Sequence, residues 1–128
     1  MTGRDSRERL IERAKGHIAL RLRDPDLSIE GLGAAVGVSK RYLHKLFQAG
    51  AGDTLGRYIL ARRLDRCRDD LLNPALSAQS ITAIAFNWGF NDASHFSHTF
   101  KRRFGVSPKA FRLGGGERIS DRPRARVA

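Results

Sequence analysis

The chain carries two copies of one pattern, and this internal repeat restricts the possible folds more than any other feature. The copies are residues 29–48, IEGLGAAVGVSKRYLHKLFQ, and residues 81–101, ITAIAFNWGFNDASHFSHTFK. In each copy, apolar residues at helical spacing run into a glycine, and a second helical stripe follows. The offset between the copies is 52 residues at the turn glycine and 53 at the later phenylalanine, Phe47 or Phe100. Each copy therefore predicts a helix-turn-helix, and the second turn has one extra residue.

Small residues stand where such a turn needs them. Gly37 and Gly89 suit the left-handed conformation that ends a helix, because glycine has no Cβ to clash there. One helical turn earlier, Gly33 and Ala85 allow the two helices of each copy to approach closely. These positions distinguish a helix-turn-helix from two unrelated amphipathic helices.

A polar residue follows each turn at a position from which it can cap the next helix. Ser39 holds this position in the first copy, and Asn91 or Asp92 holds it in the second. Their side-chain oxygens can accept hydrogen bonds from the free amide groups that open a helix. Each second helix is expected to begin with its own capping residue.

Further helices are predicted around the two copies. A helical stripe runs over about 7–23, a long helix over 55–73, and the motif FGVSPKAFR at 104–112 indicates a turn and a short final helix. The domain is thus expected to cover residues 7–112. The basic segment 113–128 lacks apolar periodicity and is expected to be disordered.

The resulting fold prediction is an all-α domain of about seven helices. The first helix-turn-helix subdomain is placed at about 30–51 and the second at about 81–104, with 55–73 as a long linker helix. A helix of that length spans roughly 27 Å. Successive major-groove faces on one side of B-DNA lie about 34 Å apart. One rigid helix is therefore expected to join two helix-turn-helix subdomains that bind neighbouring turns of the DNA.

The composition favours a polyanionic partner. The formal net charge is +11 and the pI is about 11.2, and a cationic surface gains free energy by displacing counterions from nucleic acid. Cys67 is the only cysteine, which excludes a disulfide framework and a multi-cysteine zinc site. The N-terminal segment is charged throughout and no run of 18 apolar residues occurs, so neither a signal peptide nor a membrane span is expected and the cytoplasm is the predicted location.

Side chains opposite the buried stripe of each second helix are the candidates to meet DNA. Arg and Lys suit guanine, Gln suits adenine, and His can donate to guanine or phosphate. The base-reading candidates are Arg41, His44, Lys45 and Gln48 in the first copy and Ala93, Ser94, Ser97 and His98 in the second. The phosphate-binding candidates are Ser39, Lys40, Arg62, Arg63, Lys101 and Arg102. Arg103 is a further basic residue within expected reach of a phosphate.

The two faces differ in size and charge. The first is built of long hydrogen-bond donors, whereas the second has short side chains. We therefore expect the first unit to supply most of the direct base discrimination, and the second to supply more phosphate anchoring, methyl contact and shape readout.

From about His17 to Arg112 the chain resembles the AraC/XylS-type bacterial transcription regulators. The most specific part is IAFNWGFNDASHFSHTFKRRFGVSPKAFR, which is similar to the family signature in its glycine-aromatic pair, its serine and phenylalanines, and its FGVSP ending. LSIEGLGAAVGVSKRYLHKLF and YILARRLDRCRDDL look like the first unit and the linker of that family.

The resemblance implies binding to double-stranded DNA at an asymmetric site through two adjacent major-groove segments, with DNA bending and contact with RNA polymerase. It places the base-reading positions of the family on Arg41, His44, Lys45, Ala93, Ser94 and His98. His98 departs from the arginine of many members, and Ala93 from a polar residue in some. These departures bear on the strength and sequence preference of the second segment.

Most members of the family also have a separate effector-binding or dimerisation domain. A chain of 128 residues has no room for one beside the predicted domain, so no small-molecule effector or cofactor is expected within it. The chain is expected to be either a stand-alone DNA-binding member or the DNA-binding fragment of a longer regulator. The absence of a heptad seam favours a monomer.

Three other classes of protein are alternatives on the sequence alone. Asp92, His95 and His98 share one helix strip, which is a weak indication of a metal site. Cys67 has the chemistry of a nucleophile, but it occupies an apolar position of the linker helix, and no catalytic triad, phosphate loop or carboxylate pair is present, so no enzyme is expected. An architectural protein that coats DNA without sequence preference agrees with the charge but leaves two distinct recognition faces unexplained.

Overall fold

The computed structural model describes residues 3–50 and 53–114, and its regular structure there is entirely helical. The helices are α1 (Gly3–Leu20), α2 (Ile29–Val36), α3 (Lys40–Gly50), α4 (Leu55–Leu71), α5 (Ile81–Asn87), α6 (Ala93–Phe104) and α7 (Pro108–Leu113), and a short 3-10 turn covers Pro74–Leu76. The predicted all-α class with seven helices is confirmed. The chain divides into two compact units, Met1–Arg62 and Arg63–Ala128, whose boundary falls within α4.

The first unit packs α1 across α2 and α3. Ile18 of α1, Leu32 of α2, and Leu43 and Phe47 of α3 are fully buried, which places the apolar stripe of each helix in one shared core. Leu55, the first residue of α4, is also fully buried. Each fully buried side chain of this size contributes about 1.5–3 kcal/mol, so the core holds α3 with one face inward and the other in solvent.

Helix α1 begins and ends earlier than the sequence pattern indicates. It covers Gly3–Leu20, whereas the apolar stripe predicted a helix to about residue 23. After Leu20 the chain continues in tight turns, with the amide of Arg21 donating to Ile18 O and that of Asp24 to Arg21 O. Leu22 is nevertheless buried, so the apolar period continued past the helix because the turn also faces the core.

The second unit is built around phenylalanines. The ring of Phe100 on α6 lies 5.6 Å from Phe96, 4.6 Å from Phe104 and 5.6 Å from Phe111 of α7, and the ring of Phe90 lies 5.0 Å from Phe96. Tilted and edge-to-face contacts at these distances add to the stabilisation from burial alone. This aromatic cluster fixes which side of α6 is turned away from solvent.

The linker helix is shorter than predicted. It ends at Leu71 rather than at residue 73, since Asn73 instead caps the following 3-10 turn by accepting a hydrogen bond from the amide of Ala75. Leu72 lies within the predicted range but beyond the observed helix, and it is 39% exposed. The 17 residues of α4 still give a rod of about 25 Å.

The two turns share one geometry up to the residue after the glycine. Gly37 has φ +84° and Gly89 has φ +93°, both in the left-handed region. The amide of Val38 donates to the carbonyl of Gly33, and the amide of Phe90 donates to that of Ala85. This bond spans the same five residues in both copies and closes the helix end.

The extra residue of the second turn follows Phe90. Ser39 caps α3 by accepting a hydrogen bond from the amide of Tyr42, and Asp92 caps α6 by accepting from the amides of Ser94 and His95. Capping residues are therefore 53 positions apart, although the turn glycines are 52 apart. The insertion lengthens only the link between the helix end and the next cap.

Candidate nucleic-acid interface

Helix α3 presents a row of basic and polar side chains to solvent. Leu43, Leu46 and Phe47 are buried, and this leaves the other faces free. The exposed members of the predicted set are Ser39, Lys40, Arg41, Lys45 and Gln48. His44 is only half-buried, because it lies next to Leu43 at the edge of the buried stripe.

Helix α6 presents a smaller and less charged face. Phe96, Thr99, Phe100 and Phe104 are buried. Thr99 uses its hydroxyl to donate to the carbonyl oxygens of its own helix, at 2.8 Å to His95 O, so its polar group is satisfied inside the helix. All the second-copy candidates are exposed: Ala93, Ser94, Ser97, His98, Lys101 and Arg102.

Two of the arginines of α4 are less exposed to solvent than the sequence suggested. Arg62 and Arg63 are both half-buried. The guanidinium carbon of Arg62 lies 5.3 Å from the centre of the Tyr58 ring, and Lys15 Nζ of α1 lies 5.5 Å from the same centre. Because the face of an aromatic ring attracts cations, two positively charged side chains lie close to Tyr58 in the first unit.

Arg103 belongs to the fold of the second unit. Its Nε donates to Asp65 Oδ1 at 2.9 Å and its Nη2 to Asp65 Oδ2 at 3.3 Å. The sequence treated Arg103 together with Arg102 as a residue that reaches a phosphate. In the structure only Arg102 of this pair is exposed, because Asp65 of α4 holds the guanidinium of Arg103.

Two exposed rings were missed in the sequence. Tyr42 of α3 is 41% exposed, and His95, at the matching position of α6, is exposed with its ring 6.1 Å from that of Phe90. The sequence indicates His95 only as a possible metal ligand. The 53-residue offset that aligns the two caps also aligns these rings, and it was the signal that would have paired them.

The thiol of Cys67 is unreactive in the folded protein. It is fully buried in α4, and its Sγ lies 4.0 Å from the carbonyl oxygen of Ile84 in α5. Burial, with a smaller contribution from the negative charge of Asp70, raises the pKa of the Cys67 thiol to about 12. The reactive thiolate is therefore not populated near neutral pH, and the residue serves as a small packing group between two helices.

The strip of possible metal ligands is used for capping. Asp92 Oδ1 accepts hydrogen bonds from the amides of Ser94 and His95, so one oxygen of this carboxylate is engaged as the cap of α6. Across residues 3–50 and 53–114, no group of three or more His, Cys, Asp or Glu side chains is arranged to hold a metal ion.

None of the helices within the described ranges is both long enough and apolar enough to cross a membrane. The C-terminal segment predicted to be disordered begins inside α7, since Leu113 is the last residue of that helix and the amide of Gly114 donates to Ala110 O. The arginine-rich remainder, 115–128, lies outside the described residues.

Comparison with known proteins identifies the domain. Residues 32–114 match the family described as helix-turn-helix domain. The chain is 37% identical over 102 residues to the transcriptional activator NphR of a Rhodococcus species, covering 80% of this chain and 29% of that protein. It is 37% identical over 98 residues to the transcriptional activator RhrA of Rhizobium meliloti, covering 77% of this chain and 31% of that protein. The chain thus spans about a third of the length of these relatives or less.

A solved structure agrees with the sequence relatives. The crystal structure of a transcriptional regulator from Chromobacterium violaceum, described as an AraC-type DNA-binding domain protein, superposes with a TM-score of 0.78 at 29% identity. The match covers 86% of this chain and 95% of that one. These relatives are DNA-binding regulators rather than enzymes. The chain belongs to the AraC/XylS-type family of helix-turn-helix DNA-binding domains.

Proposed function

We propose that this chain binds DNA sequence-specifically as part of a transcription regulator, with α3 and α6 inserted into adjacent major-groove segments of an asymmetric site. The observation that carries the proposal is the pair of capped helices with buried inner faces and dissimilar exposed faces. Two different faces read two different half-sites, so the site as a whole has no two-fold symmetry.

Helix α3 is proposed to supply most of the base discrimination. Arg41 and Lys45 are exposed and long enough to reach guanine O6 and N7, and Gln48 can pair with adenine N6 and N7. His44, at the edge of the core, has less freedom and is proposed to donate from a fixed position. Exposed Tyr42 adds an apolar ring that suits contact with a thymine methyl group.

Helix α6 is proposed to read the second segment at closer range. The methyl group of Ala93 and the hydroxyl groups of Ser94 and Ser97 reach only a short distance, so their contacts require the helix to lie deep in the groove. His98 is the longest of these side chains and is the proposed donor to a base edge or a phosphate. This segment is expected to depend more on methyl contact and groove shape than the first.

Phosphate contacts are proposed to orient the protein on the duplex. Ser39 accepts the amide of Tyr42 through its oxygen, and its hydroxyl hydrogen can still donate to a phosphate. The charged candidates are Lys40, Arg62, Arg63, Lys101 and Arg102. Such contacts fix register and orientation without reading sequence.

The regulatory role is inferred from the relatives. NphR and RhrA are named transcriptional activators, and we infer that this chain also acts on transcription, with RNA polymerase as a proposed contact. A monomeric domain on DNA in the cytoplasm remains the expected state. The net charge of +11 supports a second candidate, an architectural protein that binds DNA without sequence preference.

Selection of bound duplexes from a random library at near-physiological salt distinguishes these functions. We expect an enriched motif of two unlike segments about one helical turn apart, and binding at least about 10³-fold tighter than to scrambled DNA. Enrichment of one segment alone would contradict the two-headed site. Absence of any motif, with equal affinity for every duplex, would favour the architectural protein.

A further inference from the structure

Two carboxylates on α4 hold the second helix-turn-helix. Asp65 accepts both hydrogen bonds from the guanidinium of Arg103, near the end of α6. Asp70 Oδ2 accepts a hydrogen bond of 2.7 Å from the indole nitrogen of Trp88, the residue that follows α5. The same linker helix is therefore tied to the recognition helix and to the turn that precedes it.

Arg103 lies on the side of α6 away from the base-reading residues. At 100° per residue it lies about 140° from His98, 120° from Ser97 and 180° from Ser94 around the helix. Ala93, in the first turn of α6, is the nearest of the four at about 80°. The pair with Asp65 therefore concerns how α6 is held, since Arg103 does not share the face that meets the bases.

The Asp65–Arg103 pair has the geometry of a bidentate ion pair that fixes the position of one helix against another. Two parallel hydrogen bonds between guanidinium and carboxylate fix both distance and orientation. The Asp65 side chain is 23% exposed and that of Arg103 is 36% exposed, so the pair is partly shielded from water. The neighbouring pair Arg68–Asp69 lies within α4, 3.2 Å apart, and is more exposed at 39% and 59%. Its two charged groups belong to one helix, although the guanidinium of Arg68 also lies 5.4 Å from the centre of the Phe104 ring on α6.

Short side chains make the position of α6 critical. A long arginine or lysine on α3 can adjust through several rotatable bonds when its helix shifts slightly. Ala93, Ser94 and Ser97 on α6 have no such reach, so their contacts survive only if the helix is held within about 0.5 Å of its productive position. The hydrogen bonds accepted by Asp65 and Asp70 of α4 restrain α6 and the turn before it, and the short side chains of α6 depend most on the position of their helix.

We propose that Asp65 and Arg103 are positioning residues that set the base specificity of the second helix-turn-helix by fixing the placement of α6. Asp70 and Trp88 hold the preceding turn in the same way. This inference rests on the proposed function, because it assigns a role within the second DNA segment. It predicts a loss of discrimination that is confined to that segment.

The test is a base-by-base substitution scan of the selected site with Asp65→Asn and Arg103→Gln, each with a thermal melt. Asp69→Asn is the matched control, since it removes the same charge from the same helix and the Asp69 carboxylate pairs with Arg68 of α4 rather than with a residue of α6. We expect discrimination at the second segment to fall by about tenfold in both test variants. The first segment and the Asp69→Asn protein should keep wild-type preferences.

The double variant Asp65→Asn/Arg103→Gln completes the cycle and should lose no more discrimination than either single variant. Equal loss at both segments, or an effect no larger than that of Asp69→Asn, would overturn the inference while leaving the proposed function intact. Unfolding of both single variants would also overturn it, because the pair would then serve stability alone. If the wild-type protein itself shows no second-segment preference, the two-headed function and this inference both fail.

Discussion

At the scale of single residues, environment decides which of several chemistries a side chain performs. Arg102 and Arg103 are neighbours in sequence, yet only Arg102 is exposed, because Asp65 binds the other. Cys67 has the most reactive side chain of the protein and is enclosed in the core. Residue type alone does not distinguish Arg102 from Arg103, and it does not distinguish a buried cysteine from a reactive one.

Burial of Cys67 predicts both low reactivity and a dependence of stability on alkaline pH. The folded pKa is about 12 and the ordinary value is 9.0, so the unfolded chain loses this proton first as pH rises. The stability contributed by the protonated thiol is complete below pH 9 and is lost toward pH 12.

We expect a thiol reagent at pH 8 to leave Cys67 of the native protein unlabelled and to label it once denaturant has unfolded the chain. Between pH 8 and 10.5 the wild-type protein should lose more free energy of unfolding than Cys67→Ala, by on the order of 2 kcal/mol. Urea titrations of both proteins at the two pH values measure this difference. Rapid native labelling, or equal pH dependence of the two proteins, would show that the thiol is accessible.

The unlike faces of the two recognition helices predict unequal effects of substitution. Arg41→Ala removes a long exposed donor and should reduce discrimination at its base pair by about 1–3 kcal/mol. His98→Ala should cost less than about 1 kcal/mol of discrimination, because its helix is proposed to read mainly through shape and methyl contact. Binding measured across single-base variants of the site tests both. Equal relaxation by the two substitutions would refute the division of labour.

At the scale of elements, the two turns show how one residue of length changes packing. A Cβ built on Gly33 would lie 2.7 Å from the carbonyl oxygen of Val38, closer than a real contact allows. The matching position of the second copy is Ala85, which is fully buried. We infer that the extra residue after Phe90 makes room for that methyl group, since the second turn need not pass directly into its cap.

Gly33→Ala is therefore expected to destabilise the first unit by about 1 kcal/mol, because overpacking exceeds the gain in helix propensity. Gly16→Ala is the matched control in α1, where nothing lies within 4 Å of the new Cβ, and it should stabilise by about 0.5–1 kcal/mol. Urea denaturation measures both.

Insertion of one asparagine between Val38 and Ser39 should copy the second turn. In that background Gly33→Ala is expected to become neutral or stabilising, because the Val38 carbonyl can move away. If Gly33→Ala behaves like Gly16→Ala without the insertion, the close approach to Val38 does not limit the turn.

At the scale of the whole molecule, charge is expected to control affinity and its salt dependence. The structure leaves Lys40, Lys101 and Arg102 exposed and Arg62 and Arg63 half-buried. If all five neutralise phosphates, log K should fall with log salt at a slope of about −4.5. This slope reports phosphate contacts from both units together.

Neighbouring arginines offer an internal control for that slope. Arg102→Gln should reduce its magnitude by about 0.9, whereas Arg103→Gln should leave it unchanged because that guanidinium is bound to Asp65. Fluorescence titrations from 50 to 300 mM salt would measure the three slopes. Equal reductions for both variants would mean that Arg103 leaves its partner to bind a phosphate.

The sequence by itself determined the all-α class, the duplication, the turn glycines and the faces of α3 and α6. These features follow from local rules: helical period, glycine in the left-handed region, and a cap after each turn. They depend on residues a few positions apart, so the pattern is legible without the fold. The same rules placed the ends of α1 and α4 two or three residues too late. Past α1 the turn residue Leu22 also faces the core, and past α4 Asn73 caps a separate 3-10 turn.

Only the tertiary structure decided which polar residues serve the fold. Asp65 and Arg103 are 38 residues apart, and Asp70 and Trp88 are 18 apart, so no periodicity in the chain pairs them. The contact of Lys15 on α1 with the ring of Tyr58 on α4 has the same origin. A cation on a helix surface finds its partner through the packing of other helices, and that partner determines whether the charge holds the fold together or is left to meet DNA.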